Sequence, residues 1–242
     1  MRQETNTTMS QHVIPLSTPP LEAGDHLSLV EFERRYQLHP EIKKAELVEG
    51  VVYVPSPVRF ERHGRPHSDL MTWLGVYRAA TPGVLSADNT TVRLDRENEV
   101  QPDALLRLET TLGGRSRITA DDYVEGPPEL IAEIAASSVA YDLHEKRRVY
   151  ARTGVQEYLA IQVYEKRIDW LRLGEDGYRP VIPNAQGVLA SEVFPGLQLL
   201  PAAFWASDLQ ALLTVLQEGL ASQDHANFVA NLQALASQKR ET

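Results

Sequence analysis

The stretch Glu129-Leu130-Ile131-Ala132-Glu133-Ile134-Ala135 constrains this chain more than any other. It is short and apolar enough for a buried strand, yet it carries an acid, Glu133, among its inner residues. A helix is predicted from about Tyr141 to Thr153, stopping at Gly154, a favoured residue just past a helix C-terminus. Glu157 to Val163 then reads as a second strand. A strand–helix–strand unit of this kind predicts an α/β layered domain with a mixed sheet.

A carboxylate inside an apolar strand is costly to bury unless something pairs with it. A hard divalent cation is one such partner, because Mg2+ is usually held by one or two carboxylates plus waters. An arginine or a backbone N–H is the other. Upstream, Gln101-Pro102-Asp103 supplies a second candidate acid. On the predicted helix, Asp142, Lys146 and Tyr150 share one face. That face has two readings. It forms a surface ion pair between Asp142 and Lys146, or it aims Lys146 back at the carboxylates to position a water or neutralise developing charge. Glu46 opens a hairpin predicted over 46–54, and Glu49 beside the turn glycine is expected to be solvated. His63 and His67 lie at the start of a helix predicted over 66–80, where either caps or solvates that start; neutral histidine is a common transition-metal ligand, but this pair alone does not make a site.

Elsewhere, Ser28-Leu29-Val30-Glu31 has the capping-box pattern and opens a short helix to about Tyr36. Strands are predicted within 84–94 and 100–108, a loop at Gly113-Gly114, and a hairpin over 167–182 around Glu175-Asp176-Gly177. The end is helical. Leu209, Leu212, Leu213 and Leu216 form one stripe, and Phe228, Val229, Leu232, Leu235 and Ala236 form a second after a polar break at Ser222. The second stripe packs a homodimer or folds back on its own core. Three regions follow: a flexible, Thr/Ser/Pro-rich arm over 1–26, a main domain over 27–204 and a C-terminal helical extension over 205–242.

The chain has 242 residues, with 24 Lys+Arg against 33 Asp+Glu and a net charge of −9. That balance excludes a protein that coats nucleic acid by bulk charge. It leaves room for an enzyme that meets nucleic acid through local cations, such as Arg59, Arg62, Arg65, Arg115, Arg117, Arg147, Arg148 and Arg152. Without cysteine, disulfide scaffolds, zinc–cysteine sites, iron–sulfur clusters and cysteine nucleophiles are excluded. No apolar run approaches the roughly 18–20 residues of a membrane helix. The N-terminus lacks the basic start and apolar middle of a signal peptide. A cytoplasmic protein is expected.

Glu46-Leu47-Val48-Glu49-Gly50, Pro102-Asp103, the strand 128–135 and the run Tyr141-Asp142-Leu143-His144-Glu145-Lys146-Arg147-Arg148-Val149-Tyr150, followed by Gly154-Val155-Gln156-Glu157-Tyr158, carry a resemblance. Over about 28–204 the chain resembles the Uma-two family of restriction endonucleases, within the PD-(D/E)xK nuclease superfamily. The resemblance implies a restriction-endonuclease-like α/β fold, a central mixed β-sheet flanked by helices, here with an added C-terminal helix. It implies metal-dependent hydrolysis of nucleic-acid phosphodiesters, DNA before RNA, with Mg2+ and with Mn2+ as substitute. Asp103 matches the acid of the Pro-Asp motif, Glu133 the acid of the strand motif and Glu46 the early acid. All three are implied as metal ligands, and the backbone carbonyl of Ala135 is an expected fourth. The superfamily's usual lysine falls at Ala135, which shares the strand face of Glu133 but cannot supply an ammonium. Lys146 on the next helix matches the lysine that such members use instead. His63 stands where many relatives carry a histidine before the helix. Ala135 and the acidic balance also motivate an alternative: a non-catalytic nucleic-acid- or protein-binding module on a nuclease-like scaffold.

Overall fold

The computed structural model describes residues 18–55, 58–135 and 141–239, with the backbone alone described for 141–143. Most of the expected arm therefore lies outside the described residues, but its end, 18–26, packs down. Leu21 is buried beside Phe32, Leu47 and Val52. Gly24 N–H donates to the Val52 carbonyl, and Val52 N–H to that of Asp25, each at 2.8 Å.

Helix α1 (Leu29–Leu38) begins as its sequence predicts. The Ser28 hydroxyl accepts from the Glu31 N–H at 3.3 Å. The other half of the capping box is diverted, because the Glu31 carboxylate takes Arg34 and Arg35, each at 2.7 Å. Strands β1 (Glu46–Val48) and β2 (Val51–Tyr53) form the expected hairpin. Glu49 and Gly50 turn it with φ of 50° and 76°, the two positive values that suit the twist of a tight hairpin.

A π-helical turn (Phe60–Gly64) then runs into α2 (Arg65–Ala80), with Pro66 in the first turn where its missing N–H does no harm. There follow β3 (Val84–Ala87), β4 (Val92–Asp95), β5 (Asn98–Val100), β6 (Ala104–Leu108), a 3₁₀ turn (Thr110–Leu112), β7 (Arg117–Ile118), β8 (Val124–Glu125) and β9 (Leu130–Ala135). A second π-helical turn (Tyr141–Lys146) leads into α3 (Arg147–Thr153), which stops at Gly154 with φ of 95°. Next come β10 (Glu157–Gln162), β11 (Arg167–Gly174), β12 (Gly177–Pro180), β13 (Leu189–Ala190) and β14 (Gln198–Leu199). Helices α4 (Pro201–Ala206), α5 (Leu209–Leu220) and α6 (Gln223–Gln238) complete the chain.

Two mixed sheets result. One runs β2-β1-β5-β4-β8-β7 and the other β12-β11-β10-β9-β6-β3. In the second, β9 and β10 are parallel, as the predicted strand–helix–strand unit requires, and the other neighbours are antiparallel. Strand alternation gives β9 two destinations. Leu130, Ala132 and Ile134 pack against Leu70, Trp73 and Leu74 of α2 and Leu212 and Leu216 of α5. Ile131 points the other way, into a cluster with Val149 and Tyr150 of α3 and Val92 and Val100 of the first sheet. The second sheet is thus covered by helices on one face and by α3 and the first sheet on the other. By its parity Glu133 belongs to the latter face.

The stripe on α6 is largely occupied within the chain. Leu232 is buried, Phe228 and Ala236 pack against the helix-side core, and Leu235 faces outward at 41% exposure. No helix among the described residues is long and apolar enough to cross a membrane.

Candidate active site

Glu133 lies in the middle of β9 and only 3% of its surface is exposed. The partner its burial demands is a lysine rather than an arginine. Lys146, where the second π-helical turn gives way to α3, places its Nζ 2.9 Å from Glu133 Oε1. The same ammonium sits 2.9 Å from Glu46. Tyr150, one helical turn beyond Lys146, donates its hydroxyl to Glu133 Oε1 at 2.7 Å. Burial pushes the Tyr150 phenol well above its ordinary range, and the Glu133 charge adds to this. The hydroxyl therefore stays protonated and acts as a donor. Between the two readings of Lys146, the geometry is that of an ammonium aimed inward at the acids. The side chain of Asp142 lies outside the described residues.

Glu46 is delivered by the first sheet. It opens β1, and Leu47 beside it pairs with Glu99 of β5. The Glu46 carboxylate also accepts the Gln101 N–H at 2.7 Å, just past the end of β5. That bond ties Glu46 to the segment that carries Asp103. Glu49 is exposed, as expected, and lies 3.6 Å from Arg148.

Asp103 stands immediately before β6. The register Ala104↔Ala132 and Leu105↔Ile131, continued by one residue, sets Asp103 opposite Glu133. Residues directly opposite in a sheet project to the same face. One Asp103 oxygen accepts the Ile134 N–H at 2.8 Å. The other lies 3.1 Å from His63 Nε2 and 3.8 Å from the Lys44 ammonium. Burial pushes this carboxyl upward. The His63 hydrogen bond, the Lys44 and His63 charges and the Ile134 N–H outweigh it and hold the group at about 2. Asp103 is therefore an anion throughout the neutral range.

The histidines are neither simple caps nor bystanders. His63 ends its hydrogen bonding at Asp103, and its Nδ1 is buried without a partner among the described residues. His67, one turn on, stacks its ring on that of His63 at 5.7 Å and reaches the Asp103 carbonyl at 2.9 Å. Sequence reasoning missed Lys44 and gave His67 no part in the acid cluster. Lys44 stands two residues before Glu46 and at the same strand parity, which was the available signal.

The oxygen donors gathered here match a hard divalent cation in kind. Asp103 is ionised, and one ammonium faces two carboxylates, Glu46 and Glu133. Among the described residues, no three His, Cys, Asp or Glu side chains form a ready cage. The arrangement suits an ion held by one or two carboxylates and completed by water, which is usual for Mg2+. The Ala135 carbonyl accepts the Val163 N–H at 3.2 Å, so one of its two lone pairs is engaged with the strand beside it.

Of the cations flanking the site in sequence, several are paired. Arg65 lies 2.9 Å from Glu61 and Arg152 3.5 Å from Asp95. Arg117 pairs with Glu125, and Arg115 donates to the Gly154 carbonyl.

A mixed, helix-covered sheet that carries Asp103 and Glu133, joined by Glu46 from the neighbouring sheet and a lysine from the crossover segment, has the restriction-endonuclease-like α/β architecture. A solved structure described as "a putative nuclease belonging to DUF820", from Anabaena variabilis, shares this fold with a TM-score of 0.55 and 12% identity, over 78% of this chain and 99% of that one. The model of the Uma2 family, described as "Putative restriction endonuclease", matches residues 29–203, and the chain belongs to that family. No curated protein matches it.

Proposed function

We propose that this protein is an endonuclease of the PD-(D/E)xK type that hydrolyses nucleic-acid phosphodiester bonds, DNA before RNA, with Mg2+ or Mn2+. One observation carries the reading. At the position of the superfamily's usual lysine stands Ala135, and an ammonium from elsewhere, Lys146, reaches the same strand acid at 2.9 Å. Family membership and fold support a nuclease, and the buried acids support the metal.

Asp103 and Glu133 would hold the ion, with Glu46 and the Ala135 carbonyl as further oxygen donors. A bound divalent cation supplies Lewis acidity to a phosphoryl oxygen and to water. The chain's own groups do the rest. Lys146 orients the attacking water or meets the phosphate, where a preplaced ammonium needs no reorganisation as charge develops. The Tyr150 hydroxyl fixes Glu133 in the orientation that Lys146 shares. His63 and the Ile134 N–H hold Asp103 from both of its oxygens. The Gln101 N–H does the same for Glu46.

The test is cleavage of plasmid and oligonucleotide substrates with Mg2+ or Mn2+. Activity should vanish in Asp103→Ala and Glu133→Ala, and fall on the order of 10²–10³-fold in Lys146→Ala. Cleavage that survives both acid substitutions dismisses the site. Binding of nucleic acid without turnover and without metal dependence supports instead the non-catalytic module that Ala135 suggests.

A further inference from the structure

The rim of the site carries two solvent-facing aromatic rings, and they are joined to the catalytic cluster. Phe60 opens the π-helical turn and is 72% exposed, and Val58 before it is 69% exposed. Three residues after Phe60, the same turn delivers His63 to Asp103. Tyr164, 55% exposed, follows Val163, whose N–H is bonded to the Ala135 carbonyl at 3.2 Å. Tyr164 therefore leaves the sheet at the end of β9 and β10 marked by Ala135, two residues past Glu133. Arg62 links the two segments. It donates to the Tyr164 hydroxyl, and its guanidinium lies 4.8 Å from the Tyr164 ring centroid.

Exposed large apolar rings lose free energy to water unless a partner covers them. The charges around these rings select the partner. Glu61 is paired with Arg65, and Asp169 with Arg167. Among the described residues, no carboxylate pairs with Arg59, Arg62 or Lys166, and Glu165 is the acid left beside them. Flat rings interleaved with unpaired cations complement a strand whose bases are unstacked and whose phosphates are accessible. A duplex hides the base faces that such rings would need.

We infer that Phe60 and Tyr164 form a stacking platform for unpaired bases, with Arg62 and Arg59 on the adjoining phosphates. The substrate class is then a nucleic acid that is single-stranded, or locally opened, next to the scissile bond. This rests on the nuclease reading but is tested apart from it.

The experiment is fluorescence anisotropy in EDTA, which reads binding with no cleavage. The probes are a labelled single-stranded oligonucleotide, as DNA and as RNA, and a blunt duplex of the same length. The wild-type chain should bind one or both single strands at least roughly tenfold more tightly than the duplex. Phe60→Ala and Tyr164→Ala should each weaken single-strand binding roughly tenfold, as loss of one base–ring stack does. Tyr164→Phe, which keeps the ring, should retain the affinity, and duplex binding should not change. Equal affinity for strand and duplex, or an unchanged affinity in both alanine variants, overturns the platform. Cleavage that ignores Asp103→Ala and Glu133→Ala would overturn the nuclease reading without touching this result.

Discussion

Lys146 meets one acid from each sheet, Glu46 and Glu133, and its removal tests how the site is balanced. Deleting one member of a buried ion pair leaves an uncompensated charge and costs about 3–5 kcal/mol. Lys146→Met should therefore lower the thermal midpoint clearly, and Glu133→Gln placed on top of it should restore part of the loss. A destabilisation that simply adds in the double variant would mean the two groups are not coupled. Asp103 makes a second prediction. Its folded-state carboxyl sits at about 2 against an ordinary 3.8, so it stabilises the fold above the unfolded value. That contribution, roughly 2 kcal/mol, is lost as pH falls from about 4 through about 2. Asp103→Asn should flatten this acid limb in denaturant titrations, and an identical limb would contradict the assignment. Of the candidate acids, Glu133 was readable from its neighbours, because an acid in an apolar strand is conspicuous, whereas Asp103 and Glu46 took their assignment from the family resemblance. Lys44, and the use of His67, were not readable, since each acts on a residue remote in sequence.

At the level of elements, hydrophobic periodicity and turn residues placed most strands and helices close to where they lie. Gly154 and the Glu49-Gly50 turn marked their boundaries through backbone conformations that few residues accept. What periodicity could not reveal is how the two helices carrying His63 and Lys146 begin. Both open with π-helical turns, which shift side-chain phase relative to an α-helix and are found often at functional sites. The other hidden element contact is the Arg93 node, where Glu33 of α1 and Glu99 of β5 meet one guanidinium at 2.6 and 3.2 Å. Burial, and then the Glu33 carboxylate, push Glu99 up to about 7. A raised carboxyl stabilises most below its unfolded value near 4.5, and the contribution is lost as pH rises through about 7. Glu99→Gln should remove the part of the stability decline that runs across that interval. An undiminished decline would show that the node does not titrate there.

For the whole molecule, composition correctly bounded the chain to a core-forming globular protein, while the division into two sheets lay beyond it. That division depends on pairings such as Leu47↔Glu99 and on Lys146 reaching Glu46, contacts made across long stretches of chain that no local pattern announces. The end of the arm is a related case. Leu21 is one apolar residue in a polar stretch, and only its pocket beside Phe32 reveals its use. The C-terminal stripe had two readings, and its inner residues pack on the core. Leu232→Ala should therefore destabilise the fold by about 2–4 kcal/mol. Light scattering of Leu235→Glu should give the wild-type mass, and a halved mass would reveal a homodimer through the outer face of α6. The central claim, that remote acids converge to bind a divalent ion, is tested most directly by anomalous diffraction from a crystal soaked in Mn2+. The account predicts an anomalous peak between the Asp103 and Glu133 carboxylates, and a map at saturating Mn2+ with no peak there would contradict it.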